Sequence, residues 1–520
     1  MKKIMNIIML ENNEKLKQIL QNILLPIEFI ISTIMVYSLY RIGIHKYIFG
    51  EFTVKYLIAF IPSFIINAYL IIFNIKNNKK KVEKIFISFL IPVSLLYVFF
   101  MVPTYVPDEN AHVWKSYEIS TGKLITPIQE DGTANSDIPV FLSHYHVNNV
   151  NKYSKLEEAK RIETDYNDLT VVDNPARSYP TILYAFSSIG FLIARILHLN
   201  GMFGIYLARL FNTTIFLILG YYSIKLIPFG KKVLGVILFL PMMLQQGVSV
   251  SADSFINSIT MFYIAYVLKK AIDDEKINIK QMILITIMSI IISISKITYV
   301  PIIGICFLFI TKKNMSKKAK SIFIPIVIIS SIVAALGYYV FMQQYPSSQA
   351  TKIYLETNNV NQAEQIKNII HNPKIVVKVL INSILGNEYI EQMIGISLGW
   401  LDIGINSMYI TLFLILLVLS PFLDKNEKQL EKWQKIWIWL ISIAAYCLVF
   451  IALYIGWSPV GSLVVLGVQG RYLLPILPLV LLAFCQKESN IKIKNINIYL
   501  PIILTILNLL VTYQIFSFFI

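Results

Sequence analysis

The sequence predicts an all-α polytopic membrane protein with about 13 transmembrane helices, and three observations lead there. Of 520 residues, 56% are hydrophobic and only 15% charged, with a mean hydropathy of +0.64, more apolar surface than a soluble chain of this size can hide. Apolar runs of about 20 residues, the length that crosses a hydrocarbon core, recur throughout. The net charge of +16 lies mostly in short lysine-rich loops between those runs, as the positive-inside bias requires. It therefore does not call for a nucleic-acid partner.

Residues 1–84 form an N-terminal unit. It holds a lysine-bearing juxtamembrane segment without a small-residue cleavage site, then apolar runs at about 23–43 and 54–75. The loop Lys76–Lys84 has five lysines against one glutamate, which puts it and the N-terminus in the cytoplasm. The run 85–103 then leads outward and opens a central unit, 85–486, with long outer loops at about 104–203 and 342–406. Residues 179–198 are apolar enough to span. If they did, Lys225–Lys232, Lys269–Lys280, Lys312–Lys320, Asp424–Lys435 and Lys487–Lys494 would all face outward. The segment is therefore expected to be an amphipathic helix in the outer interface.

Ten more crossings are expected, at about 204–226, 233–250, 254–269, 281–295, 298–311, 321–341, 407–423, 435–456, 472–486 and 497–518. The pair 281–295 and 298–311 is short for a ~30 Å core. It predicts a shallow hairpin whose tip, Ser295–Tyr299, sits near the outer side. A surface helix is expected near Gln362–Leu385. A C-terminal unit, 487–520, adds the last span and ends outside. The expected setting is the cell membrane, crossed many times, with the lipid bilayer as first partner.

Cys306, Cys447 and Cys485 lie in or beside apolar segments with no metal spacing and read as small core residues. His144 and His146 alternate on a loop strand and lack a third metal ligand. No phosphate-cradling glycine loop or nucleophile elbow points to nucleotide or acyl-transfer chemistry.

The chemistry is expected in the stretch Pro103–Gly122. Asp108 and Glu109 fall about one helical turn beyond the membrane boundary. A helix beginning at Pro107 places His112 on their face, and Lys115 continues it. The plainer alternative is a helix start, since proline suits a first turn and acids suit its positive end. Other polar residues converge on the same side: Arg177, Arg209, Asp253, Lys296, Trp400, Asp402, and the run Val468–Pro475 with Gln469, Arg471 and Tyr472. Ionisable groups at membrane depth are costly unless paired or hydrated, so each is a functional candidate. For Arg209 or Asp253 alone, an ion pair locking helices is the plainer reading. Arg471, flanked by Gly470 and Tyr472, reads as an anion binder.

Pro107-Asp108-Glu109-x-x-His112, with Gly122 ten residues on, resembles the outer-loop signature of a bacterial membrane-protein family defined as domain of unknown function 2142. Ser251-Ala252-Asp253-Ser254, Lys296-x-x-Tyr299, Gly399-Trp400-Leu401-Asp402 and Gln469-Gly470-Arg471-Tyr472-x-x-Pro475 resemble its later motifs in the same order. The likeness runs over about residues 85–486. That family is similar in layout to GT-C glycosyltransferases, including the protein mannosyltransferase and aminoarabinose transferase groups. Those carry an Asp-Glu pair in the first long outer loop and an interfacial helix before the next span. The resemblance implies that Asp108 is the catalytic acid/base, with Glu109 beside it. The two spans ahead of the Asp-Glu loop depart from the simplest GT-C layout.

Nucleotide sugars are cytoplasmic, whereas this carboxylate pair faces outward, so a sugar donor there would be carried on a polyprenyl phosphate. The expected function is an inverting, GT-C-type glycosyltransferase of the bacterial cell envelope, moving that sugar to a cell-wall or other surface glycan or glycoconjugate. Asp108 would accept the acceptor's hydroxyl proton, and Glu109 and His112 would orient it or hold a cation. Arg471, Lys296, Tyr472, Tyr299, Arg177 and Arg209 are the donor-phosphate candidates. Lys115, Asp253, Trp400, Asp402 and Gln469 are acceptor or supporting candidates. No cofactor is required by the sequence, and a divalent cation (Mg2+ or Mn2+) on Asp108 and Glu109 is the one candidate. Two alternatives come from other classes. One is a glycan ligase or polymerase using a lipid pyrophosphate, expected to place key arginines in late outer loops. The other is a lipid-linked glycan transporter or flippase, expected to show mid-membrane charges and repeat symmetry.

Overall fold

The computed structural model describes residues 14–51, 53–79, 81–130, 132–385, 388–488, 491 and 493–520. Apart from two short two-stranded ladders, β1 (Ser136–Pro139) with β2 (Leu169–Val172) and β3 (Ser397–Leu398) with β4 (Ile403–Gly404), its regular elements are helical. The chain begins with α1 (Glu14–Ile48), α2 (Val54–Asn77), α3 (Val82–Phe100) and α4 (Glu109–Ser120), followed by α5 (Ala185–Ile196) and α6 (Gly201–Leu226). Next come α7 (Lys231–Leu238), α8 (Pro241–Val248), α9 (Ala252–Ile272), α10 (Ile279–Ser295) and α11 (Lys317–Met342). The main late helices are α12 (Ser407–Leu419), α13 (Lys432–Trp457), α14 (Leu477–Leu482) and α15 (Ile496–Phe519).

Among the described residues, eight helices are long and apolar enough to cross a membrane: α1 from Ile23, α2, α3, α6, α9, α11, α13 and α15. A ninth expected crossing is broken, with α7 and α8 meeting at 70°. Pro241 opens α8 there and has no N–H to continue the helix from α7. The other four expected crossings are shorter. They are α10, the largely 3-10 run 297–311, α12, and the stretch holding the turn Gly470–Leu473 and α14. Pro301, Pro421 and Pro475 interrupt the last three. The count of thirteen thus resolves into eight full-length helices, one bent pair and four short segments.

α3 is the axis of the bundle. It is buried along nearly its whole length and packs against α1, α6 and α15. The lysine-rich loops gather at its first end. Lys231 lies 3.5 Å from Glu83, and Lys232 pairs with Asp424 at 2.5 Å. Asn426 N donates to Lys487 O (3.0 Å), and Lys428 pairs with Asp274 (3.2 Å). Lys312 Nζ returns to Asp273 O at 2.6 Å. The run after Lys296 therefore comes back to the end where α10 begins, making a re-entrant hairpin.

The segment 179–198 stays at the opposite end. Its α-helix, α5, has twelve residues, ~18 Å, too short for a bilayer. It lies against the first turns of α6, so closely that a Cβ on Gly190 would fall 2.5 Å from Ala208 N. It also lies against α4, through Ser116–Ser187 (2.8 Å) and Arg195 Nη1 to Ser120 O (2.5 Å). Two chain ends fix the same pole. Arg41, late in α1, pairs with Glu157 at 2.7 Å, and Phe519, at the end of α15, meets the ring of Tyr105 edge-on at 4.8 Å.

This arrangement makes a sidedness prediction. Single cysteines replacing the exposed Asn149 and Thr357 should react with an impermeant thiol reagent on intact cells. Cysteines replacing the exposed Asn314 and Glu427 should react only after permeabilisation. Labelling of Glu427 without Thr357 would show that the lysine-rich end faces outward, against the charge bias.

Candidate functional site

Where α3 ends, the chain turns sharply through 101–108, and two residues there take left-handed backbone angles, Thr104 (φ 68°) and Asp108 (φ 63°). Aspartate tolerates that region, but a β-branched threonine is a genuine outlier held by its surroundings. What holds it is Glu109. Its carboxylate, with no solvent exposure, accepts four hydrogen bonds: Arg209 Nε (2.8 Å) and Nη2 (2.6 Å), Thr104 N (2.8 Å) and Val250 N (2.9 Å). Arg209 spends its remaining donors on the carbonyls of Val98 (3.0 Å), Met101 (2.6 Å) and Val102 (3.2 Å). Those oxygens are left over at the end of α3, so a buried guanidinium caps the helix.

Two expectations change here. Glu109 turns its carboxylate to Arg209 and two backbone N–H groups and not to His112, and its lone pairs are occupied, which leaves it no free coordination to share with Asp108. Arg209 is a helix lock and has no donors left for a lipid phosphate. The divergence arises at Asp108, whose left-handed angle sends adjacent side chains in different directions. Among the described residues no three histidine, cysteine, aspartate or glutamate side chains cluster to hold a metal ion. This covers His144 and His146 too, where His146 Nδ1 accepts from Asn148 N at 3.2 Å.

Asp108 itself stands at the start of α4 without capping it. Its side chain is 56% exposed and Oδ2 lies 3.2 Å from Arg471 Nη2. The buried Arg471 is poorly satisfied. Nη1 reaches Pro107 O at 3.4 Å, and Nε makes no hydrogen bond among the described residues, with Asp253 Oδ2 4.0 Å away. Asp253 in turn holds Lys296 Nζ at 2.8 Å, and Lys296 lies over the ring of Tyr472 at 4.7 Å. Tyr299 donates to Tyr472 O at 3.0 Å. The result is an alternating row of Asp108, Arg471, Asp253 and Lys296. Without Asp108 it carries one net positive charge.

Local sequence explains each placement. Gly470 lets the Arg471 turn press against the helix Tyr389–Ile394, where a Cβ would fall 2.3 Å from Met393 N. Ser251 caps α9, with its hydroxyl accepting from Asp253 N at 3.1 Å, which puts Asp253 in the first turn. Lys296 is the extended residue at the hairpin tip.

His112 faces this row and shares a 2.7 Å hydrogen bond with Tyr184. Burial lowers it to about 4, with Asp108 and Asp253 pulling upward and Arg471 and Lys296 pushing down. It is therefore a neutral imidazole at physiological pH. Beside Lys296 a cavity of about 370 Å³ opens between Tyr179 and Tyr472, Tyr338 and Met342 of α11, and Val449 and Leu453 of α13.

The remaining candidates lie off the row. Lys115 is buried and bonded to Glu118 (3.1 Å) and Thr126 (3.0 Å). Arg177 ties loops together through Asp173, Ala134 O (2.9 Å) and Pro346 O (2.7 Å). Asp402 accepts from the Tyr105 hydroxyl, and Trp400 beside it is 41% exposed. Gln469 Oε1 is buried with no hydrogen-bond partner among the described residues. Thr104, Tyr105, Tyr179 and Tyr184 carry no signal in the sequence: tyrosine is too common here (30 residues) to stand out, and Thr104 acts through its backbone N–H.

A family model described as a predicted membrane protein (DUF2142) matches residues 91–480. No curated protein and no solved structure matches the chain.

Proposed function

The chain belongs to the DUF2142 family of predicted membrane proteins, and from that premise we propose that it is a glycosyltransferase of GT-C type, moving a sugar from a polyprenyl phosphate to an acceptor hydroxyl. The observation that carries this reading is Arg471, a buried guanidinium whose Nε has no hydrogen-bond partner among the described residues, set between Asp108 and Asp253. Buried donors of this kind call for an anion. The cavity beside Lys296 supplies room for the first part of a lipid tail.

In the reaction, the donor phosphate takes Arg471 and Lys296, displacing Asp108 from its 3.2 Å contact. The freed carboxylate accepts the proton of the acceptor hydroxyl as that oxygen bonds to the anomeric carbon. The bond from that carbon to the phosphate oxygen breaks on the opposite face, and its electron pair leaves with the lipid phosphate, inverting the centre. Arg471 and Lys296 offset the charge gathering on the leaving group. His112, being neutral, adds no charge and positions the start of α4. Glu109 acts through the backbone it fixes and is a positioning residue. No step requires a metal ion; of the adjacent acids, Asp108 with its 56% exposed side chain is the one that could turn to a cation.

Arg471→Lys keeps the charge but loses the planar fork. Transfer from a synthetic polyprenyl-phosphate sugar, measured in membranes at matched protein amounts, should fall roughly tenfold to a hundredfold. Equal loss of folded protein in Arg471→Lys and Arg471→Ala would instead reduce Arg471 to a strut between helices.

A further inference from the structure

A second and larger cleft, about 800 Å³, opens at the lysine-rich end of the bundle, far along α3 from the Asp108 site. Its walls are Phe29 and Ile30 of α1, Ile87 and Ile91 of α3, and Leu217 and Ile218 of α6. It runs along α6 from Thr214 to Lys225, ~17 Å of helix. Among the described residues, its charged lining groups are Lys84 and Lys225, at the ends of α3 and α6 nearest the lysine loops. Lys225 lies over the rings of Tyr221 (5.6 Å) and Tyr222 (5.5 Å), the aromatic setting of a membrane interface. The neighbouring carboxylate, Glu83, is 3.5 Å from Lys231, a third lysine that offsets it. Two ammonium groups at one apolar cleft concentrate positive charge at its polar end, which complements an anionic headgroup. One wall, α1, precedes the residues matched by the family model, so docking of the N-terminal unit completes the cleft.

We propose that this cleft binds an anionic glycerophospholipid from the leaflet on the lysine-rich side, its phosphate between Lys84 and Lys225 and its acyl chains along Ile91, Leu217 and Ile218. Basic pockets between membrane helices on that side select acidic headgroups in this way. The site is independent of the transfer reaction, so its test does not use activity.

The full chain, purified in a neutral detergent and mixed with equal amounts of phosphatidylglycerol and phosphatidylcholine, would be examined by native mass spectrometry for retained lipid. Phosphatidylglycerol should be retained roughly tenfold in preference. The exposed Lys225→Gln should cut that preference about fivefold. Ile218→Trp, which fills the cleft without changing charge, should lower retention as well. Lys318→Gln, an exposed lysine outside the cleft at the same end, should leave it unchanged. Equal retention of the two lipids, or equal effects of Lys225→Gln and Lys318→Gln, would overturn the site. So would displacement of phosphatidylglycerol by polyprenyl phosphate at far lower concentration, which would assign the cleft to the carrier lipid.

Discussion

Asp108→Asn is expected to lower sugar transfer by ~10²–10⁴ at unchanged protein levels, the usual cost of removing a general base. The geometry makes this substitution unusually clean. Asparagine is as much at home as aspartate at a left-handed backbone angle, and Asp108 sits at φ 63°. Its side chain makes no capping bond that the change could break. Asparagine can still accept from Arg471 through its amide oxygen. It loses only the charge and the capacity to take a proton. The measurement is transfer from polyprenyl-phosphate sugar in membranes at equal amounts of folded protein. Near-normal transfer would remove the base and leave the transporter or ligase readings in front.

Glu109→Gln should fail in a different way. Here the expected result is loss of folded protein, because a buried carboxylate bonded to Arg209 through both oxygens is replaced by a neutral amide. Breaking one side of such a pair costs about 3–5 kcal/mol, since the other charge stays buried. The amide also presents an NH2 group where an oxygen accepted from Thr104 N or Val250 N. The readout is the melting temperature of detergent-purified protein, with yield as a second measure. Removing both charges in Glu109→Gln with Arg209→Met should recover part of the loss, which a catalytic role could not explain. A normally folded but inactive Glu109→Gln protein would return Glu109 to the chemistry.

The contrast between these neighbours marks where sequence reading stopped. Adjacent acids beyond an apolar run are visible as a cluster. Their separate fates depend on one backbone angle at Asp108 and on a partner 100 residues away, and neither is encoded in local spacing. Arg471 stands out in the sequence as an arginine flanked by Gly470 and Tyr472, and what spacing could not show is the close approach of Gly470 to Met393. The placement of 179–198 was legible from lysine distribution together with Arg195 and His198 near its end, since one extra crossing would have scattered loops that instead touch, as Lys232 does Asp424. The number of crossings was less so. Apolar length cannot tell a spanning helix from the re-entrant run after Lys296, where the turn-back is fixed by tertiary contacts such as Lys312 with Asp273.

The long sequence separation within the row of charges has a consequence for biosynthesis. Glu109 waits 100 residues for Arg209, whereas Asp108 waits 363 for Arg471. At ~5–20 residues per second, the second interval is roughly 20–70 s of translation. The ribosome therefore delivers the clamp on the 101–108 turn early, while the guanidinium that would meet a phosphate is among the last groups inserted. Under the proposed transfer reaction, a nascent chain stalled before residue 470 would hold its carboxylate in place yet have nothing to grip a donor with, and would be inert towards activated lipids.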